Sequence, residues 1–373
     1  MSALTSAQVP VVVIGAGGMG RAWISTILRS DAARLVGVAD VVEGAAERAV
    51  AQTVPEQQRS CVRTGTDALE VARLSAAEAV IDVTIPAAHH AVTADALHAG
   101  YPVLGEKPCA ATLAEAVSLA GHAESTGALF MVSQSRRNNP HLREARRLVD
   151  RLGGAGIVDT RFYKAPRFGG FREEMAHPLL TDMAIHAFDA GRVLVDGDPV
   201  AVTASSYNPT WSWYAGHAAA TVTITYGSGA VHTFSGSWAA PGAETSWNGD
   251  WLISCELGSV HWDGETPPTA CAESGPIAGE EPPAGALWEL DDSLARFCAA
   301  LRGGAVPDSE VHANVWTQAI VEAAVRSADT GRQVRLADLL DEALAEARTL
   351  DAADGRSSAL QTWKTGVAGL SVV

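Results

Sequence analysis

The sequence predicts an α/β protein in two parts: a parallel sheet interleaved with helices over residues 1–136, then an α+β part with an open, mostly antiparallel sheet over 137–373. Three observations lead there. Continuous apolar runs such as VPVVVIG (9–15) and EAVIDVTIP (78–86) recur with single helical patterns between them, which implies parallel pairing through crossovers. After about residue 136 strands follow one another with few helices between them, and TYGSGAV and ELGSVHW carry hairpin signals. A chain of 373 residues is also about twice an ordinary single domain.

Taken in order, VPVVVIG is β-branched throughout and reads as a strand buried on both faces. RAWISTILRS is helical, RLVGVAD (34–40) a second strand, and 43–53 an Ala-rich helix. A turn is expected at Thr64-Gly65-Thr66, then a helix around Asp67–Leu74 and the strand EAVIDVTIP. A helix closed by Gly100 leads to YPVLGEKP (101–108), and one stopped at Gly127 leads to ALFMVSQS (128–135). In the second part, the segment 177–195 interrupts the strands as a helix. Residues 263–285, rich in Pro, Gly, Glu and Ala, read as a long surface loop, and amphipathic helices close the chain at about 287–302, 310–329 and 336–349.

GAGGMG follows the first strand and opens a helix, with Gly15, Gly17 and Gly20 in G-x-G-x-x-G spacing around Gly18 and Met19. Gly15 permits the tight turn, Gly17 lets the backbone approach a pyrophosphate, and Gly20 lets the helix pack on the sheet. The helix start offers free N–H groups to phosphate. Asp40 ends the second strand, where a carboxylate accepts from ribose hydroxyls and repels a 2′-phosphate; no Arg or Lys follows in VVEGAA. The expected cofactor is NAD, held on a Rossmann sheet.

Composition narrows the partners. The formal charge of −16 argues against nucleic acid and anionic membrane surfaces, and no apolar run is long enough to span a bilayer. No signal peptide is apparent in MSALTSAQVP, and five scattered cysteines without a CxxC pair read as reduced thiols, so a cytoplasmic protein is expected.

HPLLTDMAIHAFDAG (177–191) places Asp182, His186 and Asp189 four and three residues apart in an apolar helix, hence on one face. Buried there, they are costly unless paired or used. The segment alone leaves three readings open: a hydrogen-bonded network, a metal site with His177 or Asp189 completing the set, or an acid/base apparatus.

The chain resembles the Gfo/Idh/MocA dehydrogenases over nearly its whole length. The resemblance rests on GAGGMG, on GEKP (105–108) and on the D-x-x-x-H-x-x-D run at 182–189. It implies that Lys107 lies beside the nicotinamide and the substrate, and that Asp182 and His186 come from the second domain. It implies no metal. It also implies that the open sheet packs against another subunit, so a homo-oligomer (dimer or tetramer) is expected.

The chemistry of these residues suits oxidation of a carbinol. His186 is expected as the base taking the hydroxyl proton, Lys107 as a cation stabilising a developing alkoxide, and Asp182 as orienter or second hydroxyl ligand. Asp189 fits a supporting role. By the family's loop arrangement Thr84, Pro86 and His89 are expected at the nicotinamide ribose, with Glu106 and Gln134 nearby. Arg161, Lys164, Arg167 and Arg172 concentrate positive charge in RFYKAPRFGGFREE, which suggests an anionic sugar or, alternatively, a solvated loop paired with Glu173 and Glu174. Arg136, Asn138, Tyr163 and His177 are further substrate candidates. The expected activity is NAD-dependent oxidation of a secondary alcohol of a sugar, inositol or related polyol. The alternative is redox-neutral glycoside hydrolysis by oxidation, elimination and reduction.

Overall fold

The computed structural model describes residues 8–371. The chain divides into two compact units. The first takes the described residues up to Ser135 together with Glu289–Val315 and those from Ala343 on; the second takes Arg136–Trp288 and Trp316–Glu342. A single linear division at 136/137 therefore misses the return of two C-terminal segments to the first unit. The amphipathic pattern of those segments shows that each helix covers an apolar surface, and carries no signal of which surface.

In the first unit, β1 (Val9–Ile14), β2 (Ala33–Ala39), β3 (Arg63–Gly65), β4 (Ala79–Asp82), β5 (Val103–Glu106) and β6 (Phe130–Ser133) form one parallel sheet in the order β3-β2-β1-β4-β5-β6. All of β1 and β4 is buried, as their unbroken apolar runs require. The turn expected at Thr64 is instead the edge strand β3, whose three residues are too few to show periodicity. Local chemistry sets the helix ends. Thr112 and Glu115 form a reciprocal capping box, Pro86 occupies the first turn of its helix, and Gly127 adopts φ 67° to close the helix before β6.

The second unit holds β7 (Ala155–Tyr163), β8 (Pro199–Tyr207), β9 (Ala219–Tyr226), β10 (Val231–Ser237), β11 (Asp250–Cys255), β12 (Gly258–Trp262), β13 (Thr269–Ala272), β14 (Gly275–Ala278) and β15 (Val334–Arg335). They form one sheet in the order β14-β13-β12-β11-β7-β10-β9-β8-β15, antiparallel except where β7 meets β10. Burial alternates along β9 and β10, so one face carries the core. The predicted hairpins stand at β9–β10 and β11–β12. The predicted loop at 263–285 contains β13 and the edge strand β14, four residues each; β13 is too short to show a period and Gly275 and Pro276 mask β14.

The interrupting helix has two forms. Leu179–Ala184 is a π-helical turn, and Ile185–Leu194 is α-helical. The α-helical part packs on the buried sheet face, with Phe188 and Phe234 rings edge to face 5.6 Å apart. Among the described residues no helix is long and apolar enough to cross a membrane.

Candidate functional site

The carboxyl ends of β1, β2, β4, β5 and β6 bring the first group of expected residues to one edge of the parallel sheet. Gly15 has φ 102°, and a Cβ there would lie 2.5 Å from the Val83 carbonyl oxygen. At Gly20 a Cβ would lie 1.9 Å from the Gly15 carbonyl oxygen, so both positions exclude any side chain. A Cβ on Gly17 would meet nothing within 4 Å, leaving the turn open on the side a ligand needs. Gly18 and Met19 are exposed at the helix start. Asp40 seals the turn: its Oδ2 accepts from Ala16 N at 2.7 Å and its Oδ1 from Val42 N at 2.9 Å.

Behind this edge lies a residue that the sequence reading passed over. Asp82, at the end of β4, is fully buried and accepts from Thr84 N, Thr84 Oγ1 and Thr93 Oγ1 at 3.0, 2.7 and 2.9 Å. Burial pushes its carboxyl above the usual carboxylate range, against the opposing pull of His89 and the hydrogen-bond donors. Its signal was an acidic residue inside an otherwise apolar strand.

His89 sits on the helix opened by Pro86 and is buried, with its ring between two loops. Nδ1 lies 2.8 Å from Pro108 O and Nε2 3.0 Å from Thr84 O, which ties the β4 loop to the β5 loop. The Lys107–Pro108 peptide bond is cis. Glu106 accepts from Trp23 Nε1 at 2.8 Å and from Lys107 N at 3.1 Å, and burial among protein atoms raises its carboxyl above the ordinary value. Gln134, just past β6, is buried, and neither its amide oxygen nor its amide nitrogen has a hydrogen-bond partner. An orphaned carboxamide and an open glycine turn at the carboxyl edge of one parallel sheet are an arrangement that a nicotinamide dinucleotide fits, since it supplies both polar groups and a pyrophosphate.

In the second unit, His186 and Met183 open onto a narrow recess walled by Phe162, Trp247, Trp251 and Arg136. Arg136 also donates to the Trp247 carbonyl. Asp182, in the π-helical turn, accepts from Arg172 Nε at 2.6 Å in an ion pair. Asp189, one turn beyond His186, is buried between Arg137 Nε at 3.0 Å and Thr317 Oγ1 at 2.8 Å, and so anchors the helix. Arg192 donates to the same Thr317 hydroxyl at 2.9 Å, and burial lowers its pKa, with Arg137 adding to the effect.

The basic loop is compensated by partners other than those expected. Arg172 pairs with Asp182, Lys164 with Glu244 at 2.9 Å, and Arg161 with Asp250 at 3.2 Å, while Arg167 stacks 4.0 Å over Trp213. Glu173 instead accepts from Gly169 N. The true partners come from segments far away in sequence. Tyr163 OH lies 3.0 Å from Ser235 Oγ, and Asn138 accepts from Arg143 at 2.8 Å. His177 is held by Ser206 and Asp329, each at 3.1 Å, and its ring packs on His217. Trp247, missed in the sequence, stands alone in a Gly/Ser/Asn-rich loop, a setting that gives no periodic signal.

A sheet with this glycine turn, and a second unit presenting an imidazole and an ion-paired carboxylate, together define an NAD-dependent oxidoreductase. The chain belongs to the Gfo/Idh/MocA family: residues 9–134 match its oxidoreductase NAD-binding Rossmann fold and residues 131–261 its C-terminal domain. An uncharacterised protein, y4oX of Sinorhizobium fredii, is 26% identical over 350 residues, 88% of this chain and 96% of its own. Inositol 2-dehydrogenase 1 of Saccharopolyspora erythraea is 31% identical over 199 residues, 52% of this chain and 57% of its own. The fold matches that of an Agrobacterium radiobacter oxidoreductase solved with NAD+, L-tartaric acid and magnesium, with a TM-score of 0.79 at 19% identity over 89% of this chain and all of the other.

Proposed function

We propose that this protein oxidises a secondary alcohol on a sugar, inositol or related polyol, using NAD+. The observation that carries the reading is the recess at His186, where one imidazole and one guanidinium stand among aromatic walls. Trp247, exposed at the rim of the recess, suits the C–H face of a hydroxyl-rich ring, and an imidazole suits removal of a carbinol proton near neutral pH. The similarity to an inositol 2-dehydrogenase supports the same substrate class. Internal pairing of Arg161, Lys164 and Arg172 removes most of the reason to expect an anionic sugar.

When bound, NAD+ supplies the acceptor for the hydride leaving the carbinol carbon. In the first unit, the Gly15–Gly20 turn would hold the pyrophosphate and Asp40 the adenosine ribose. Thr84, Pro86, Glu106 and Gln134 would line the nicotinamide end, with His89 bracing the loops behind it. Lys107 stabilises negative charge developing on the substrate oxygen. In the second unit, His186 accepts the hydroxyl proton. Asp182, paired with Arg172, receives a neighbouring hydroxyl or orients the imidazole.

The test is a screen of neutral polyols against sugar acids, followed by NADH absorbance, with Lys107→Ala and His186→Gln alongside the wild type. A neutral polyol or sugar is expected to reduce NAD+. Each variant is expected to lose about 10²–10⁴-fold in kcat while still binding NAD+. Unchanged turnover in both variants would show that the chemistry lies elsewhere.

A further inference from the structure

Three helices of the first unit meet away from the glycine turn: Pro86–His98, Leu113–Thr126 and the C-terminal part of Leu336–Asp354. They bring together His90, His122 and Asp351, of which His122 is fully buried and Asp351 3% exposed. One ligand-competent atom from each residue lies within 4.8 Å of the others. No step of the proposed oxidation uses any of them. We propose that His90, His122 and Asp351 form a structural binding site for a divalent transition metal, best matched by Zn2+, that clamps these three helices.

The geometry supports a cation at this point. His122 Nε2 lies 3.4 Å from Asp351 Oδ1, yet it makes no hydrogen bond. Tetrahedral zinc with bonds of about 2.0–2.2 Å places neighbouring ligand atoms about 3.3–3.6 Å apart, so this edge already has the bound spacing. Ser118 Oγ stands 2.8 Å from His90 Nε2 and 2.5 Å from Asp351 Oδ1. These are hydrogen bonds that orient two of the ligands, and a water supplies the fourth position.

The outer partners are those a metal site uses to fix its ligands. His98 Nε2 lies 3.0 Å from His122 Nδ1, and the Ser358 hydroxyl donates to Asp351 Oδ2. If His122 gives its Nδ1 hydrogen to His98, a bare lone pair on Nε2 faces the Asp351 carboxylate. That contact is repulsive until a cation lies between the two groups. The ligands are enclosed by helices, which fits a closed structural site.

The test uses the full-length protein, stripped with a chelator and titrated with ZnCl2 against a chromophoric competitor. Bound metal is measured by elemental analysis after gel filtration. Wild type is expected to bind one zinc per chain and to melt at a higher temperature once loaded. His122→Asn and Asp351→Asn are expected to lose that zinc, while Asp182→Asn, in the other unit, keeps it. His98→Ala is expected to keep the stoichiometry with affinity about ten- to a hundredfold weaker. Should the ligand variants fail to fold, Co2+ added to wild type decides the matter, because tetrahedral coordination gives intense visible d–d bands. Absence of those bands, a wild type that binds no zinc, or folded variants that keep it would each overturn the proposal.

Discussion

Asp189→Ala tests how the helix carrying His186 is held. Asp189 is 1% exposed and its partner Arg137 5%, so neither charge is screened by solvent. The 3.0 Å contact between them, with Thr317 on the other carboxylate oxygen, balances Arg137 and the neighbouring buried Arg192. Truncation leaves a buried guanidinium without its counter-charge, which costs about 3–5 kcal/mol. For a unit of this size each kcal/mol lowers Tm by about 2–4 °C, so a fall of roughly 6–20 °C is expected. Urea denaturation of the wild type, Asp189→Ala, Arg137→Met and the double variant Asp189→Leu/Arg137→Met completes the test. The double variant should recover most of the loss, because an apolar pair of similar volume replaces both charges at once. A single-variant cost below about 1 kcal/mol, or a double variant at the sum of the singles, would refute the argument.

Two further outcomes follow from the geometry. Asp40→Ala removes the carboxylate that would repel a 2′-phosphate; NADP affinity should rise about tenfold relative to NAD, read by fluorescence titration, and an unchanged ratio would remove Asp40 from cofactor choice. His232 is fully buried, 2.9 Å from Thr160 Oγ1, and burial lowers its pKa to about 3. The unfolded chain titrates near about 6.5 and so binds more protons than the fold across that window. Stability from this group is present above about pH 6.5 and is lost as pH falls toward 3. Between pH 7 and 5 that loss is about 2 kcal/mol, and it should be missing from the pH dependence of His232→Gln; identical slopes would exclude His232 as the source.

Much of the fold is legible in local pattern. Apolar runs with single helices between them are satisfied only by a buried parallel sheet, and Gly15 and Gly20 mark contacts too close for any Cβ. The failures share a cause. At β3, β13 and β14 the strands are too short, or too rich in Pro and Gly, to show a period. At the candidate site, residue types pointed to Lys107, Asp182 and His186, but not to the ion pair that Asp182 makes with Arg172. Nothing near Arg172 singled out Asp182 over Glu173 or Glu174 as its partner.

By itself, then, the sequence determined the two-sheet architecture, the dinucleotide turn and the identity of the reactive residue types, because periodicity and steric exclusion act over a few residues. Only the tertiary structure decided which charges are neutralised, that Asp189 is a clamp between Arg137 and Thr317, and that His90, His122 and Asp351 meet. Ion pairing, burial and ligand clustering depend on distances between segments up to hundreds of residues apart, and no local pattern encodes those distances.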